Sequence, residues 1–437
     1  MEENSMNDAV MPLLESLLSE RGSAEDTVVL HINHCMENSF YFTEQLKKEF
    51  GQVVFVAVPY NDRGVPEGLT YGAYHGIQTD TGYMLLRNNR KAEEQPPGFL
   101  HAVRRMIALA LENEVREQLE QGRRLLVVED GGYHYPVLRQ WLSAHPRFAD
   151  SVLGSVEQTT AGTRASKEEK LLYPAVSVAR SAYKVRVESY FVADRVVGEL
   201  KRMLRRQGSF IDFRDVLLIG YGIIGRSVAC CLRPNHVHMQ VYDTDAEILK
   251  TAREDGLTLW NGEFRDDMLV MGNVGKSSFT REMLERFLSG AAGRIFLASS
   301  SSKQVEFEEV FDLLTGAQRT RLYQADAYRF PGGKELILLA QGFPLNFYDK
   351  SSDSLTYGMI DPVFSEMLLS ARTLWEQKGR FQNRTYLFGV DEELGGQERE
   401  TDLLNRWMEM NHLHFDSGTF NRHPNEERLR EKALGRK

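Results

Sequence analysis

The sequence predicts an α/β fold containing a Rossmann-type dinucleotide-binding domain. One sign is the stretch from Asp215 to Asp243, where an apolar β-run, three glycines, a helical run and a second β-run ending in an acid follow one another. Another is the alternation of short apolar β-runs with amphipathic helical segments along most of the chain. The third is length: 437 residues suffice for two or three domains, each burying its own core.

Each position of the glycine stretch has a physical reading. Val216 to Ile219 is a β-run, and Gly220, Gly222 and Gly225 follow it in G-x-G-x-x-G spacing. Gly220 permits a tight turn, Gly222 lets the backbone approach a pyrophosphate, and Gly225 lets the next helix pack closely on its strand. Ile223, Ile224 and Arg226 belong to the same turn, and Ser227 to Leu232 reads as helix. The N–H groups at such a helix start face phosphate charge. Met239 to Tyr242 is the second β-run, and Asp243 ends it. A carboxylate there accepts both ribose hydroxyls of an adenosine and repels a 2′-phosphate, so the expected cofactor is NAD rather than NADP.

The other elements fall in order around this unit. Residues 10–20 place Val10, Leu13, Leu14, Leu17 and Leu18 on one helical side. Val28 to His31 is a strand, Phe40 to Phe50 a helix and Val53 to Val58 the next strand. Phe99 to Gln121 reads as a long helix feeding the strand Leu125 to Val128, which runs into Glu129-Asp130-Gly131-Gly132. An acid and two glycines at a strand end suit a ligand-binding turn, because open parallel sheets bind beyond the carboxyl ends of their strands. Residues 183–206 form a long helical stretch. Strands are expected at Met268 to Met271, Ile295 to Ala298 and Leu336 to Ala340, with helix again from about Asp361.

Composition excludes several classes. Hydrophobic residues make up 42% and charged residues 26%, as in a soluble globular protein. A net charge of −9 and the lack of a basic domain argue against a nucleic-acid partner. No apolar run approaches the roughly 20 residues needed to span a membrane. The start Met1 to Asp8 lacks the pattern of a secretory signal. With only Cys35, Cys230 and Cys231, a cytoplasmic, reduced chain is expected. Gly275-Lys276-Ser277 mimics the end of a phosphate-binding P-loop, but Val270 occupies the position of its first glycine. The pairs His31/His34, His236/His238 and His412/His414 lack a local third ligand, so no metal site is expected.

From about residue 125 to 375 the chain resembles the S-adenosylhomocysteine hydrolase (adenosylhomocysteinase) family. Glu129-Asp130-Gly131-Gly132 resembles the family's Asp-Asp-Gly-Gly turn. Gly154-Ser-Val-Glu-Gln-Thr-Thr-Ala-Gly162 resembles its Gly-x-x-Glu-Glu-Thr-Thr-Thr-Gly loop, and Pro174-Ala-Val with Lys184 its Pro-Ala-Ile and following lysine. Gly220-Tyr-Gly-Ile-Ile-Gly-Arg226 resembles Gly-Tyr-Gly-Asp-Val-Gly-Lys, and Leu338-Leu-Ala-Gln-Gly342 with Asn346 its Leu-Leu-Ala-Glu-Gly and Val-Asn. His31 sits at a strand end like the histidine of the family's His-Met-Thr motif.

The resemblance implies a Rossmann-type NAD-binding domain inserted in a discontinuous α/β substrate domain. The implied plan is a first substrate part over residues 1–190, the NAD-binding domain over 191–349, a returning segment over 350–405 and a charged tail over 406–437. It implies Lys184 and Glu188 beside a ligand hydroxyl, with Asp130 and His31 near proton-transfer positions. It also implies Thr159, Thr160 and Asn346 as further cofactor contacts, a nucleoside-like small-molecule ligand, and a homo-oligomer. Alone, the spacing of Lys184 and Glu188 also fits a surface ion pair.

Departures bear on the family's reaction, which oxidises a ribose hydroxyl with NAD, eliminates a thiol, adds water and reduces the ketone again. Gln158 replaces a glutamate, Ala161 a threonine, and Ser189 and Ala193 an asparagine and a cysteine. Ser299–Ser302 and the stretch to Asp353 each lack the family's histidine, and Asn33 and Cys35 replace adenine-recognising residues. The expected function is therefore oxidation of a hydroxyl on a nucleoside- or sugar-like ligand. A catalytically silent NAD-binding protein is the alternative, and genuine hydrolysis of S-adenosylhomocysteine stands third. Residues 421–437, with six Lys/Arg and three Asp/Glu, read as a solvated helix or disordered end.

Overall fold

The computed structural model describes residues 10–19, 24–34, 36–58, 99–301, 305–348 and 355–433. The chain divides into two compact units: residues 1–185, 355–417 and 430–437 form one, and residues 186–354 and 418–429 the other. Both are α/β, and the second interrupts the first.

The first unit is built on β1 (Thr27–His34), β2 (Gly51–Val58), β3 (Arg124–Glu129), β4 (Val152–Glu157), β5 (Ala175–Ser177) and β14 (Thr385–Leu387). They make one parallel sheet in the order β14-β5-β4-β3-β1-β2. The inner strands are buried beyond their first residues because helices cover both faces of such a sheet, and near-continuous apolar runs such as Leu125 to Val128 result. Strand order reverses between β1 and β3. Open parallel sheets bind ligands at that switch point, beyond the carboxyl ends of the strands.

The returning segment is tied into this unit by specific polar contacts. Asp361, in the helix Tyr357–Glu376, accepts the N–H groups of Leu13 and Leu14 at 2.9 and 2.8 Å, satisfying donors at the start of the helix Pro12–Ser19. About three turns further along the same helix, Arg372 forms a two-pronged ion pair with Glu49 at 2.6 and 2.7 Å and donates to the Leu17 carbonyl at 2.9 Å.

The second unit contains β6 (Asp215–Ile219), β7 (His238–Tyr242), β8 (Thr258–Leu259), β9 (Met268–Gly272), β10 (Arg294–Ser299), β11 (Gln318–Leu322), β12 (Ala325–Arg329) and β13 (Glu335–Leu339). Their order is β11-β12-β13-β10-β9-β6-β7-β8, with β11, β12 and β13 paired antiparallel and the others parallel. The six parallel strands thus follow the doubly wound Rossmann order, with the switch point between β6 and β9. Phe264, Phe279, Phe287 and Phe307 pack with Met268, Val270, Leu297 and Leu338 in its core.

Several boundaries differ from expectation. β1 runs on to His34, so Asn33 and His34 lie in the strand rather than beyond it. The stretch from Phe99 is broken by a π-helical turn at Leu111–Val115, and the stretch 183–206 by another at Tyr183–Glu188. The β11–β12 hairpin has no clear pattern in the sequence because β11, Gln-Arg-Thr-Arg-Leu, is an exposed edge strand with almost no apolar face. Such charged edges resist pairing with another chain. No described helix is long and apolar enough to cross a membrane.

Candidate functional site

At the switch point of the first unit, the ends of β1, β3 and β4 bring histidines and carboxylates together. His31 is fully buried. The Thr43 hydroxyl donates to the Ser39 carbonyl at 2.8 Å, so it accepts from His31 Nδ1 at 2.8 Å and leaves Nε2 as the unprotonated nitrogen. Burial holds the His31 imidazole neutral, pushing its pKa down to about 3 despite nearby Asp130. His34 Nε2 lies 3.3 Å from Asp130 Oδ2. One residue earlier, the Glu129 carboxylate accepts the Tyr133 and His134 N–H groups and contacts the His134 ring.

Glu157, at the end of β4, organises the adjoining loops. Its Oε1 accepts the Gly131 N–H at 3.0 Å and both the N–H and hydroxyl of Thr159 at 2.8 Å. Oε2 is buried without a hydrogen-bond partner among the described residues. Burial, reinforced by the charges of Glu129 and Asp130, pushes the Glu157 carboxyl up to about 8. Thr159 also caps the helix Thr160–Glu168 by accepting the Gly162 N–H at 3.1 Å, so Thr160 is its first residue.

Two substituted positions are bonded to each other. Asn33 Nδ2 donates to Gln158 Oε1 at 3.2 Å, while Asn33 Oδ1 accepts the His34 N–H at 2.7 Å. The backbone donor fixes the orientation of the Asn33 amide, and that in turn requires the Gln158 oxygen to face it. The Gln158 carbonyl oxygen is thereby engaged as an acceptor.

Lys184, half-buried, and Glu188, largely buried, lie on the π-helical turn Tyr183–Glu188. Such turns occur disproportionately at functional positions. The Lys184 N–H donates to Ser181 Oγ at 3.2 Å.

In the second unit the glycine turn occupies the switch point at the end of β6. Gly220 has φ +90°, a conformation that disfavours a side chain. A Cβ on Gly225 would lie 2.1 Å from the Gly220 carbonyl oxygen, so helix and turn pack at a distance only glycine allows. A Cβ on Gly222 would meet nothing within 4 Å. That open, side-chain-free approach is what a pyrophosphate needs, and the start of the helix Ile223–Leu232 supplies N–H donors beside it. Asp243, half-buried at the end of β7, accepts the Tyr221 N–H at 2.9 Å and the Asp245 N–H at 2.9 Å. It thus ties the turn to the neighbouring strand end. Arg226 pairs with Asp255, its Nε 2.8 Å from Oδ2, an atom that also accepts the Tyr221 hydroxyl at 2.9 Å.

Beyond β9 and β10, residues without a sequence signature shape the floor of the unit. Glu306 accepts the Val274 and Gly275 N–H groups at 2.7 and 2.6 Å. These amides are thereby engaged, which removes the phosphate-cradling role that Gly275-Lys276-Ser277 mimics. Ser300 Oγ donates to Asn273 Oδ1 at 2.6 Å, and Ser299 and Ser301 hydroxyls lie 3.1 Å apart. Asn346 is buried on the short helix Leu345–Tyr348. Cys35, Ser302 and the stretch 349–353 lie outside the described residues.

One sequence expectation is corrected here. Asn421, His423 and Asn425 of the C-terminal stretch bond within the second unit, to which residues 418–429 belong, and His423 and Glu426 are buried. The net charge of residues 421–437 suggested solvation, but the neutral amides and imidazole among those charges find backbone and hydroxyl partners.

No protein-family model matches the chain. An uncharacterized protein of Mycobacterium tuberculosis is 30% identical over 237 residues, covering 53% of this chain and 42% of that protein. The adenosylhomocysteinase of Aeropyrum pernix is 23% identical over 270 residues, covering 60% of this chain and 62% of the enzyme. That of Sulfolobus acidocaldarius is 24% identical over 287 residues, covering 63% and 65%. The matched parts span less than two thirds of these relatives, and the similarity supports a divergent relationship. Among solved structures, D-lactate dehydrogenase from Escherichia coli aligns with 80% of this chain and 97% of its own, at 13% identity and a TM-score of 0.40.

If Asp243 selects the cofactor, NAD should bind at least about tenfold more tightly than NADP, the effect of roughly 1.4 kcal/mol. Asp243→Ala should narrow that ratio. Calorimetric titration with both dinucleotides checks it, and equal binding by the unaltered protein would remove the assignment.

Proposed function

We propose that this chain is a divergent adenosylhomocysteinase-like protein that binds NAD in its second unit and oxidises a hydroxyl of a nucleoside- or sugar-like ligand. The observation that carries the reading is the glycine turn at the switch point of the Rossmann sheet, fastened to Asp243 at the adjacent strand end. Gly220, Gly222, Ile223, Ile224, Gly225 and Arg226 form or flank the turn, with Asn346 of the same unit as a further proposed contact. The chemistry NAD supplies when bound is acceptance of a hydride from an alcohol carbon.

The chain's own residues supply the proton chemistry. The Lys184 amine takes the proton of the ligand hydroxyl, and Glu188 on the same π-helical turn orients the ammonium that results. Neutral His31 and the carboxylate of Asp130 stand at the first unit's switch point, where they bind and orient the ligand. The Gln158 amide donates to a ligand oxygen. Hydrolysis of S-adenosylhomocysteine needs more proton transfers than this set provides, and serines carry no group that titrates near neutrality.

A screen of nucleoside and sugar alcohols with NAD should reveal at least one that generates reduced-nicotinamide absorbance. Lys184→Ala should depress that rate about 10²- to 10⁴-fold with NAD binding retained, as for loss of a general base. No homocysteine should be released from S-adenosylhomocysteine in a thiol assay, whereas turnover near about 1 per second would reinstate the hydrolase reading. The second reading is NAD bound without turnover. A panel without any reduction on NAD-loaded protein would select it.

A further inference from the structure

The segment Gly418–Leu429 belongs to the second unit although a stretch of the first, Leu355–Ser417, precedes it in sequence. Its contacts are specific and polar. Asn421 Nδ2 donates to Ser227 Oγ at 2.9 Å and to the Arg186 carbonyl at 3.1 Å. Arg226 donates to the Arg422 carbonyl at 3.3 Å. Asn425 Nδ2 donates to Thr251 Oγ1 at 2.6 Å, and Arg428 reaches Asp245 Oδ1 at 2.8 Å. Glu426, buried, receives Arg186 at 2.7 and 3.0 Å. The Phe420 ring packs edge-on against Tyr190 at 5.6 Å.

His423 makes the contact that bears on the cofactor turn. It is 2% exposed, and its Nε2 lies 3.3 Å from the carbonyl oxygen of Tyr221, between Gly220 and Gly222. The Asn425 N–H donates to His423 Nδ1 at 3.0 Å. Nδ1 is therefore the acceptor, and the ring proton sits on Nε2 and is donated to the Tyr221 carbonyl. The Tyr221 residue is thus held from two directions, its N–H by Asp243 and its C=O by His423.

We propose that Gly418–Leu429 is a clasp on the dinucleotide turn, with His423 the positioning residue that fixes the Tyr221 carbonyl and that, on protonation, loses the Asn425 bond holding its ring in place. A second proton has one place to go, Nδ1, where it would point at the Asn425 N–H and destroy that bond. The groups facing the ring are Arg226, Asp255 and Glu426, with the Tyr221 backbone and its phenol-bearing side chain beside them. Burial, aided by the Arg226 charge, outweighs the two carboxylates and the Tyr221 carbonyl and holds the imidazole below its usual range. The sign follows. The clasp contributes fully above the ordinary histidine pKa of about 6.5 and weakens as pH falls below it.

This inference rests on the dinucleotide reading of the turn, and the test separates the two. Full-length protein, His423→Ala and His423→Gln are titrated with NAD between about pH 8 and pH 5.5, and amide hydrogen exchange is followed at Tyr221 and Gly222 without NAD. The unaltered protein should bind NAD more weakly, and lose exchange protection at the turn once rates are corrected for their intrinsic pH dependence, as pH falls. His423→Ala should bind about three- to tenfold more weakly at pH 8, the worth of one hydrogen bond, with faster exchange and a flattened pH profile. His423→Gln keeps an N–H donor but cannot be protonated, so it should restore affinity at pH 8 and stay flat toward acid. Exchange and its pH response unchanged in His423→Ala would overturn the clasp, whatever NAD does. Failure of the unaltered protein to bind NAD at any pH, with exchange behaving as stated, would instead overturn the dinucleotide reading.

Discussion

Gly222→Ala should fold like the unaltered protein yet bind NAD about 10²-fold more weakly or not at all. A methyl group there meets no protein atom within 4 Å, and Gly222 has φ −73°, so neither packing nor backbone opposes it. The methyl instead projects into the approach a pyrophosphate requires, and ligand displacement of about 1 Å can cost that factor. Gly225→Val should behave differently. Its Cβ would lie 2.1 Å from the Gly220 oxygen and 3.0 Å from the Gly220 carbonyl carbon, both backbone atoms that yield only if the helix moves. That variant should lose NAD binding and about 1–3 kcal/mol of stability together. Thermal unfolding beside NAD titration distinguishes the pair. Wild-type affinity in Gly222→Ala would mean that no phosphate approaches this turn.

Arg372→Ala should destabilise the first unit by about 3–5 kcal/mol, the usual consequence of stranding one partner of a buried ion pair. Both side chains are 4% exposed, and Glu49 receives two bonds from the guanidinium. The loss also frees the Leu17 carbonyl at the end of the first helix. Replacing both members, Arg372→Met with Glu49→Leu, should recover most of the stability because no charge is then left buried. Chemical denaturation followed by two probes, one for each unit, gives the measurement. A loss below about 1 kcal/mol in the single variant would show that water reaches Glu49.

The glycine turn was the most legible part of this chain because all its requirements are local. Close approach at Gly222, tight packing at Gly225 and a positive φ at Gly220 each leave a mark on the residue type itself. Asp243 is nearly as local, since the chain needs only one helix to bring it back beside β6. The central strands were legible from apolar runs because both faces of a parallel sheet are covered. Where burial is one-sided or absent, as in exposed β11, no such pattern exists. The two π-helical turns were invisible for a related reason: side-chain periodicity barely changes when a single extra residue is accommodated in a long helix.

The sequence by itself determined the α/β class, the glycine turn with the acid at the next strand end, and the list of polar groups available for chemistry. Only the tertiary structure decided which of those groups meet. Asn33 and Gln158 are 125 residues apart, and Tyr221 and His423 are 202 apart. Their pairing follows from strand order and from the return of distant segments, neither of which local periodicity encodes. The same holds for charge state. Glu157 looks like any glutamate until β3 and β4 place it beside Glu129 and Asp130 in a buried setting. His423 looks like part of a solvated tail until it is enclosed against the Tyr221 carbonyl. Desolvation and Coulomb energy depend on distance in space, and distance in space is what folding supplies.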